Sequence, residues 1–287
     1  MEKYEYKTYE GERALFKTNN ADIRYCTFQN GESPLKESNN LKLYETSFKW
    51  KYPLWYCNNV NIKDCYMLDG ARAGIWYTDN FEATNLVVKA PKSFRRCNNV
   101  SLKNVTFYDA SETMWNCKNM RMENVKVNGT YFAMNSSDLV IDGIEVVGDY
   151  SFDNVKNMVI RNAKLLSKDA FWNTENVLVE NSYIVGEYLA WNAKNITFKN
   201  CVIESLQGLC YIDGLKMENC TLVNTVLSFE YSKNINAEIV SSIDSVKNPI
   251  SGVIKAKEIK VLIQNEPNRI NIDAPKVEKL ITDRYFE

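Results

Sequence analysis

NNVSLKNVTFYDASETMWNCKNMRMENVKV, residues 98–127, holds one repeat and the opening of the next. Asn99 is followed by Val100 and Leu102, then by Asn104, Val105 and Phe107. Twenty residues on, Asn119 is followed by Met120 and Met122, then by Asn124, Val125 and Val127. Polar residues fill the gaps: Ser101, Lys103 and Thr106 in the first copy, Arg121, Glu123 and Lys126 in the second. A period of two marks a strand with one buried face. Asn at each joint tolerates the left-handed backbone that turns the chain. A repeat of this kind buries its apolar face only by stacking on copies of itself.

Working outward, the joint recurs as Asn20, Asn40, Asn59, Asn80, Asn99, Asn119, Asp138, Asn157, Asn176, Asn195, Gly214 and Asn234, at spacings of 19 to 21 residues. A second polar column follows five residues later, with Asp64, Asn85, Asn104, Asn124, Asn181, Asn200 and Asn219. A third inward pair precedes each joint, as in Leu54 with Cys57, Phe94 with Cys97 and Met114 with Cys117. Three short strands per repeat and Asn corners predict an all-β, single-stranded, right-handed parallel β-helix. It should have about twelve coils at ~4.8 Å each, roughly 58 Å in length. The left-handed form needs a strict six-residue register, which these uneven inward spacings lack. Stacked Asn side chains should form amide ladders along the axis. One domain is expected over 1–287, with residues 1–10 as an N-terminal cap, coils over 11–263, and 264–287 as a C-terminal cap or tail.

Net charge is −1, so no general field draws nucleic acid or an anionic membrane, and neither is expected as a partner. No apolar run approaches the ~20 residues of a membrane span. The opening MEKYEYKTYEGE has no secretory apolar stretch, which points to a cytoplasmic protein. Histidine is absent, and with it go Ser-His-Asp and Cys-His nucleophiles and imidazole metal sites. No cofactor motif and no metal-ligand spacing is read. Seven of the eight cysteines fall at inward registers as small hydrophobes, expected to be free thiols; Cys210 alone falls on an outward register.

Five of the six tryptophans lie four residues before a joint: Trp55, Trp76, Trp115, Trp172 and Trp191. Arg95, Met134, Asp153, Cys210 and Glu230 occupy the same register in other coils. The adjoining register reads Tyr56, Tyr77, Arg96, Asn116, Asn135, Asn154, Asn173, Asn192, Tyr211 and Tyr231. Together they predict a surface ledge of aromatic faces beside amides and phenols. Such a ledge suits a glycan, with sugar rings on the aromatic faces and hydroxyls on the amides. It equally suits burial against a second copy, in a homo-oligomer or interaction scaffold. The two aromatic pairs, Trp55–Trp76 and Trp172–Trp191, flank a mixed centre of Arg95, Trp115, Met134 and Asp153. Asp149, Asp153 and Asp169 form the best acidic group, able to hold a cation or to act as acid and base with Arg95 as a further candidate, or are solvated turn charges. Arg95 and Arg96 could clamp a carboxylate or phosphate, or Arg95 could pair with Glu112. Whether any reaction is catalysed stays open. At one corner Glu12, Glu32, Lys51 and Arg72 read first as a charge ladder.

Several strings also resemble one bacterial family, catalogued as domain of unknown function three-seven-three-seven. They are GERALF (11–16), LKES (35–38), WKYPLW (50–55), RAGIWY (72–77), APKSFRRC (90–97), DAFWN (169–173), GEYLAWN (186–192), ESLQGLCYIDGL (204–215) and SFEYS (228–232). The resemblance spans nearly the whole chain and implies a right-handed β-helix. It implies no activity and no catalytic residue. A hydrogenase label attached to some members finds no support here, because no C-x-x-C occurs.

Overall fold

Each joint residue takes the left-handed backbone expected of it: Asn40 has φ 55°, Asn99 58° and Asn119 54°. From that joint a strand runs with alternate side chains buried, as in Lys118–Asn128. The computed structural model describes residues 1–282, and these form a parallel β-solenoid of the right-handed type without a helix. The chain resolves into two compact units, Met1–Val147 and Gly148–Glu287.

In the first unit, eight strands stack in parallel: Glu2–Glu5, Asn19–Arg24, Asn39–Tyr44, Asn58–Lys63, Asp79–Thr84, Asn98–Phe107, Lys118–Asn128 and Ser137–Val147. A second ladder of two-residue strands runs from Thr8–Tyr9 to Val87–Val88 and then merges into the longer strands. In the second unit, seven strands stack: Lys156–Leu166, Glu175–Glu180, Lys194–Lys199, Asp213–Val226, Ile235–Ile239, Ser251–Lys255 and Arg269–Asp273. Eight turns and seven make fifteen, against about twelve expected. The extra turns lie outside the Asn register. Residues 2–9 are themselves a coil that covers Asn19–Arg24 and Thr27–Phe28. Beyond Ile239 the spacing shortens: Ile235 pairs with Gly252, and Gly252 with Ile270. The expected tail from 264 includes two strands, Arg269–Asp273 and Val277–Ile281; its last residues, 283–287, lie outside the described residues.

Inside each unit the inward columns meet as rings on rings. Phe28 stacks on Phe48 at 5.1 Å, and Phe152 on Phe171 at 5.5 Å. The amide ladders form as well. Asn40 Nδ2 donates to Asn20 Oδ1 (3.0 Å), Asn59 to Asn40 (2.7 Å), and Asn200 to Asn181 (3.1 Å).

The segment before each joint is a ladder of another kind. Alternate residues there sit at positive φ, as with Tyr52, Leu54 and Tyr56, or Glu112, Met114 and Asn116. Its backbone still bonds from coil to coil: Tyr56 N donates to Trp76 O (3.0 Å), Tyr77 N to Arg95 O (2.8 Å) and Arg96 N to Trp115 O (3.0 Å). Polar groups that this irregular backbone leaves over are taken by buried hydroxyls. Ser136 Oγ donates to Met114 O (2.7 Å) and accepts from Cys117 N (3.0 Å); Thr78 does the same between Leu54 O and Cys57 N. Cysteines stand in for hydroxyls in this column, and Cys57 Sγ reaches Leu35 O at 3.1 Å. All eight cysteines are buried free thiols.

Candidate functional site

The ledge rises on this third ladder. In the first unit Trp55 and Trp76 lie parallel, 4.9 Å apart at 7°, and Tyr56 and Tyr77 lie 4.7 Å apart at 3°. Arg95, which the register places in the mixed centre, continues the aromatic column. Its guanidinium is held between Trp76 (4.9 Å) and Trp115 (4.5 Å), while Arg96 lies over Tyr77 at 5.7 Å. Side chains in one register at coil spacing stack face to face, and the planar guanidinium fits that stack as a ring would. Asn116 and Asn135 follow in the outer column, both exposed.

Stacking has a cost for the expected mode of ligand contact. Both flat faces of Trp76 are covered, by Trp55 and by Arg95, and Trp55 and Trp115 each lose one face to the same stack. Their indole N–H groups are committed too. Trp55 donates to Ala73 O (2.6 Å), Trp76 to Lys92 O (2.7 Å) and Trp115 to Tyr131 O (2.6 Å). Each acceptor lies seven residues before the joint of the following coil. These tryptophans lock one coil to the next.

The second unit departs from this order. Trp172 keeps the lock, donating to Tyr188 O at 2.7 Å. Trp191 does not, and the equivalent carbonyl, that of Gln207, instead receives the Cys210 thiol at 3.4 Å. Among the ledge tryptophans of the described residues, only Trp191 has no protein acceptor for its N–H, and that atom is not buried. The rings around it are also splayed. Trp172 and Trp191 meet at 31° and 6.2 Å, Trp191 and Tyr211 at 39° and 4.6 Å, and Tyr211 and Tyr231 at 46° and 5.3 Å. Beside them runs a polar ladder in which Asn192 donates to Asn173 (2.9 Å) and Asn173 to Asp153 (2.9 Å), with Asn154 exposed nearby.

Cys210 corrects the outward reading: it is fully buried, and burial pushes its thiol up to about 12. Its thiol feels the ion pair of Glu230 and Lys247 (2.8 Å), in which the Glu230 carboxylate is itself buried. The acidic group is only partly assembled. Asp149 acts on Asp169, but Asp153 is bonded to Asn173 instead. Asp169 is 2% exposed and its Oδ1 has no hydrogen-bond partner. Burial raises its pKa against the pull of Lys168 and a hydrogen bond from Tyr150. Among the described residues no three His, Cys, Asp or Glu come together as a metal-ligand group. Arg95 pairs with Glu112 (2.5 Å), which Lys92 also reaches (3.2 Å). The corner ladder exists in part, with Lys51 on Glu32 at 3.0 Å and Glu32 N on Glu12 at 3.2 Å.

One column of the ledge escaped the sequence reading: Tyr52, Lys92, Tyr131, Tyr150 and Tyr188, three residues ahead of the tryptophan register. Tyr52 packs on Trp55 at 4.9 Å, Tyr150 edge-on against Trp172 at 5.6 Å, and Tyr188 against Trp191 at 5.8 Å. Recurrence of tyrosine at that offset was the available signal.

Fold and surface together define a parallel β-solenoid whose two units each carry an aromatic and amide ledge on their coils. The family model described as "Protein of unknown function (DUF3737)" matches residues 2–276, and the chain belongs to that family. No curated protein sequence matches it. Among solved structures it is similar to PfbA, a surface adhesin of Streptococcus pneumoniae, at 11% identity and TM-score 0.40, covering 96% of this chain and 82% of that one. It is similar to the tailspike protein of E. coli bacteriophage HK620, solved with a hexasaccharide, at 7% identity and TM-score 0.43, covering 93% and 66%. A third is the A-module of the Azotobacter vinelandii mannuronan C-5 epimerase AlgE4, at 10% identity and TM-score 0.29, covering 97% and 87%. Likeness at this level equates no residue or ligand between the chains.

Proposed function

We propose that the second unit's ledge binds carbohydrate, with Trp191 as the central contact. The observation that carries this reading is the local opening of the stack. Trp191 alone among the ledge tryptophans combines an uncommitted indole N–H with neighbours tilted by 31° and 39°. Tilted rings leave part of a face for a sugar's C–H surface, and the N–H takes a hydroxyl. The Asp153–Asn173–Asn192 ladder beside it supplies further acceptors and donors in a fixed row. The reading is one of binding: among the described residues the one carboxyl with a raised pKa, Asp169, is buried away from solvent. Titration of tryptophan fluorescence with a panel of neutral oligosaccharides should show saturable quenching in the wild type and none with Trp191→Ala. A flat response across the panel, or equal binding by Trp191→Ala, would falsify the reading.

In the first unit the Trp55–Trp76 wall favours a second reading for that strip of surface. There the faces of Trp55 and Trp76 are mutually covered at 7°, which makes a flat wall suited to a protein partner such as a second copy. Sedimentation at increasing concentration decides it, a strictly monomeric protein excluding the homo-oligomer.

A further inference from the structure

Three cations and one carboxylate meet on the first unit's ledge. Lys92, Arg95 and Arg96 stand on one coil, and Glu112 on the next is bound by two of them, Lys92 at 3.2 Å and Arg95 at 2.5 Å. Burial would push the Glu112 carboxyl up, yet Lys92 and Arg95 together hold it below the usual glutamate range, so it is ionised at neutral pH. Three positive charges against one negative leave a local excess in a chain whose net charge is −1.

The two arginines play different parts. Arg95 is committed, clamped between Trp76 and Trp115 with Nη2 on Glu112 and only 21% of its side chain exposed. It supplies a fixed charge rather than a free fork. Arg96 is exposed, and among the described residues no carboxylate lies within salt-bridge distance of it. Its guanidinium rests over Tyr77, itself stacked on Tyr56 at 4.7 Å, so a planar platform holds the fork. A held guanidinium without a counter-ion is a ready receptor for a planar carboxylate, which it binds through two parallel hydrogen bonds. In the next coil Asn116 occupies the register of Arg96, bringing an amide about 4.8 Å along the axis.

We infer that Arg96 binds the carboxylate of an acidic saccharide, with Asn116 and the Tyr77 phenol beside it taking ring hydroxyls. The inference rests on the glycan reading made for the second unit and extends it to an anionic sugar at Arg96, in the outer column of the first unit beside the Trp55–Trp76 wall. An acidic sugar fits better than an acidic peptide because the flanking groups are hydroxyl partners, an amide and a phenol.

Calorimetric titration with a short oligouronate, its methyl ester and a short polyglutamate peptide tests this on the intact chain. The oligouronate should bind, and more weakly as salt is raised. The ester should bind roughly tenfold more weakly, and Arg96→Gln should weaken the oligouronate by a similar factor. Arg96→Lys should recover only part, because a point charge replaces the fork. Equal binding of acid and ester, or an Arg96→Gln protein that binds as the wild type does, overturns the assignment. So does a polyglutamate peptide that binds more tightly than the oligouronate through Arg96, which would make the site a protein contact. Neutral sugars that still bind through Trp191 in those cases leave the broader reading standing. Failure of every sugar, neutral or acidic, removes both.

Discussion

Asp169 is where local physics is most at odds with itself. It takes φ 58°, a left-handed backbone that suits Asp and Asn, yet its carboxyl is buried with one oxygen unpartnered. Lys168, the adjacent cation, pairs with Glu187 at 2.9 Å. Burial therefore wins, and the pKa is raised, with Asp149 and Glu187 adding to the rise. A raised carboxyl is protonated in the folded state at a pH where the unfolded chain has lost the proton. Its ionised form thus penalises the fold above the folded pKa. That penalty is relieved as pH falls through the folded value, fully so below the unfolded value of about 3.9. Asp169→Asn keeps the shape and the backbone preference while removing the charge. It should stabilise the protein at pH 7 by on the order of 1 kcal/mol. The difference in Tm between variant and wild type should shrink toward zero as pH is lowered to 4. A variant less stable than wild type at pH 7 would mean that the carboxylate is satisfied by a group other than those named.

At the scale of the coil, the joint has two jobs, a left-handed backbone and an amide in the ladder. Two positions separate them. Gly143 (φ 74°) and Gly214 (φ 82°) hold ladder sites without any amide, and a Cβ built there would come 2.8 Å from Asn124 Oδ1 and 2.7 Å from Asn195 Oδ1. The backbone angle is thus the stricter demand. Asn40, which donates to Asn20 and accepts from Asn59, tests this. Ala at that site should cost about 1–2 kcal/mol for the left-handed angle, plus the lost ladder bonds. Asn40→Gly should be less destabilising than Asn40→Ala by roughly 0.5–1 kcal/mol, measured by denaturant unfolding. Equal losses would place the energy in the ladder instead. The joints and the period-two strands were legible because each puts a residue type at a fixed interval. The third ladder was not. Leu54, Phe94 and Phe152 take positive φ, which bulky side chains disfavour, while still alternating inward and outward as a strand would. Its sequence therefore reads as a strand. The same blindness covers the ledge: register placed the tryptophans in a column, but whether a ring shows its face or its edge depends on its stacked neighbours.

For the chain as a whole, stability should follow the stack rather than a single core. Each coil of a solenoid is held by its two neighbours, so an end coil has half the support of an inner one. Burial at the end of each unit nearest a chain terminus follows that rule. In the first unit Glu2–Glu5 has no fully buried residue, whereas Lys118–Asn128 buries every inward side chain. In the second, Arg269–Asp273 and Val277–Ile281 likewise bury none fully, while Glu175–Glu180 and Lys194–Lys199 alternate cleanly. The coil count fell short for the same reason, since coils with few buried side chains carry a weak period. Amide exchange reads this directly, because protection reports the free energy of local opening. Peptides covering Glu2–Glu5, Arg269–Asp273 and Val277–Ile281 should exchange first, and those covering Lys118–Asn128 and Lys194–Lys199 last. Coils between Glu2–Glu5 and Lys118–Asn128, and between Lys194–Lys199 and Arg269–Asp273, should fall in order between them. Uniform protection from end to end of a unit would instead mean that its coils open only together, as one cooperative block, and the nearest-neighbour account of this fold would have to be abandoned.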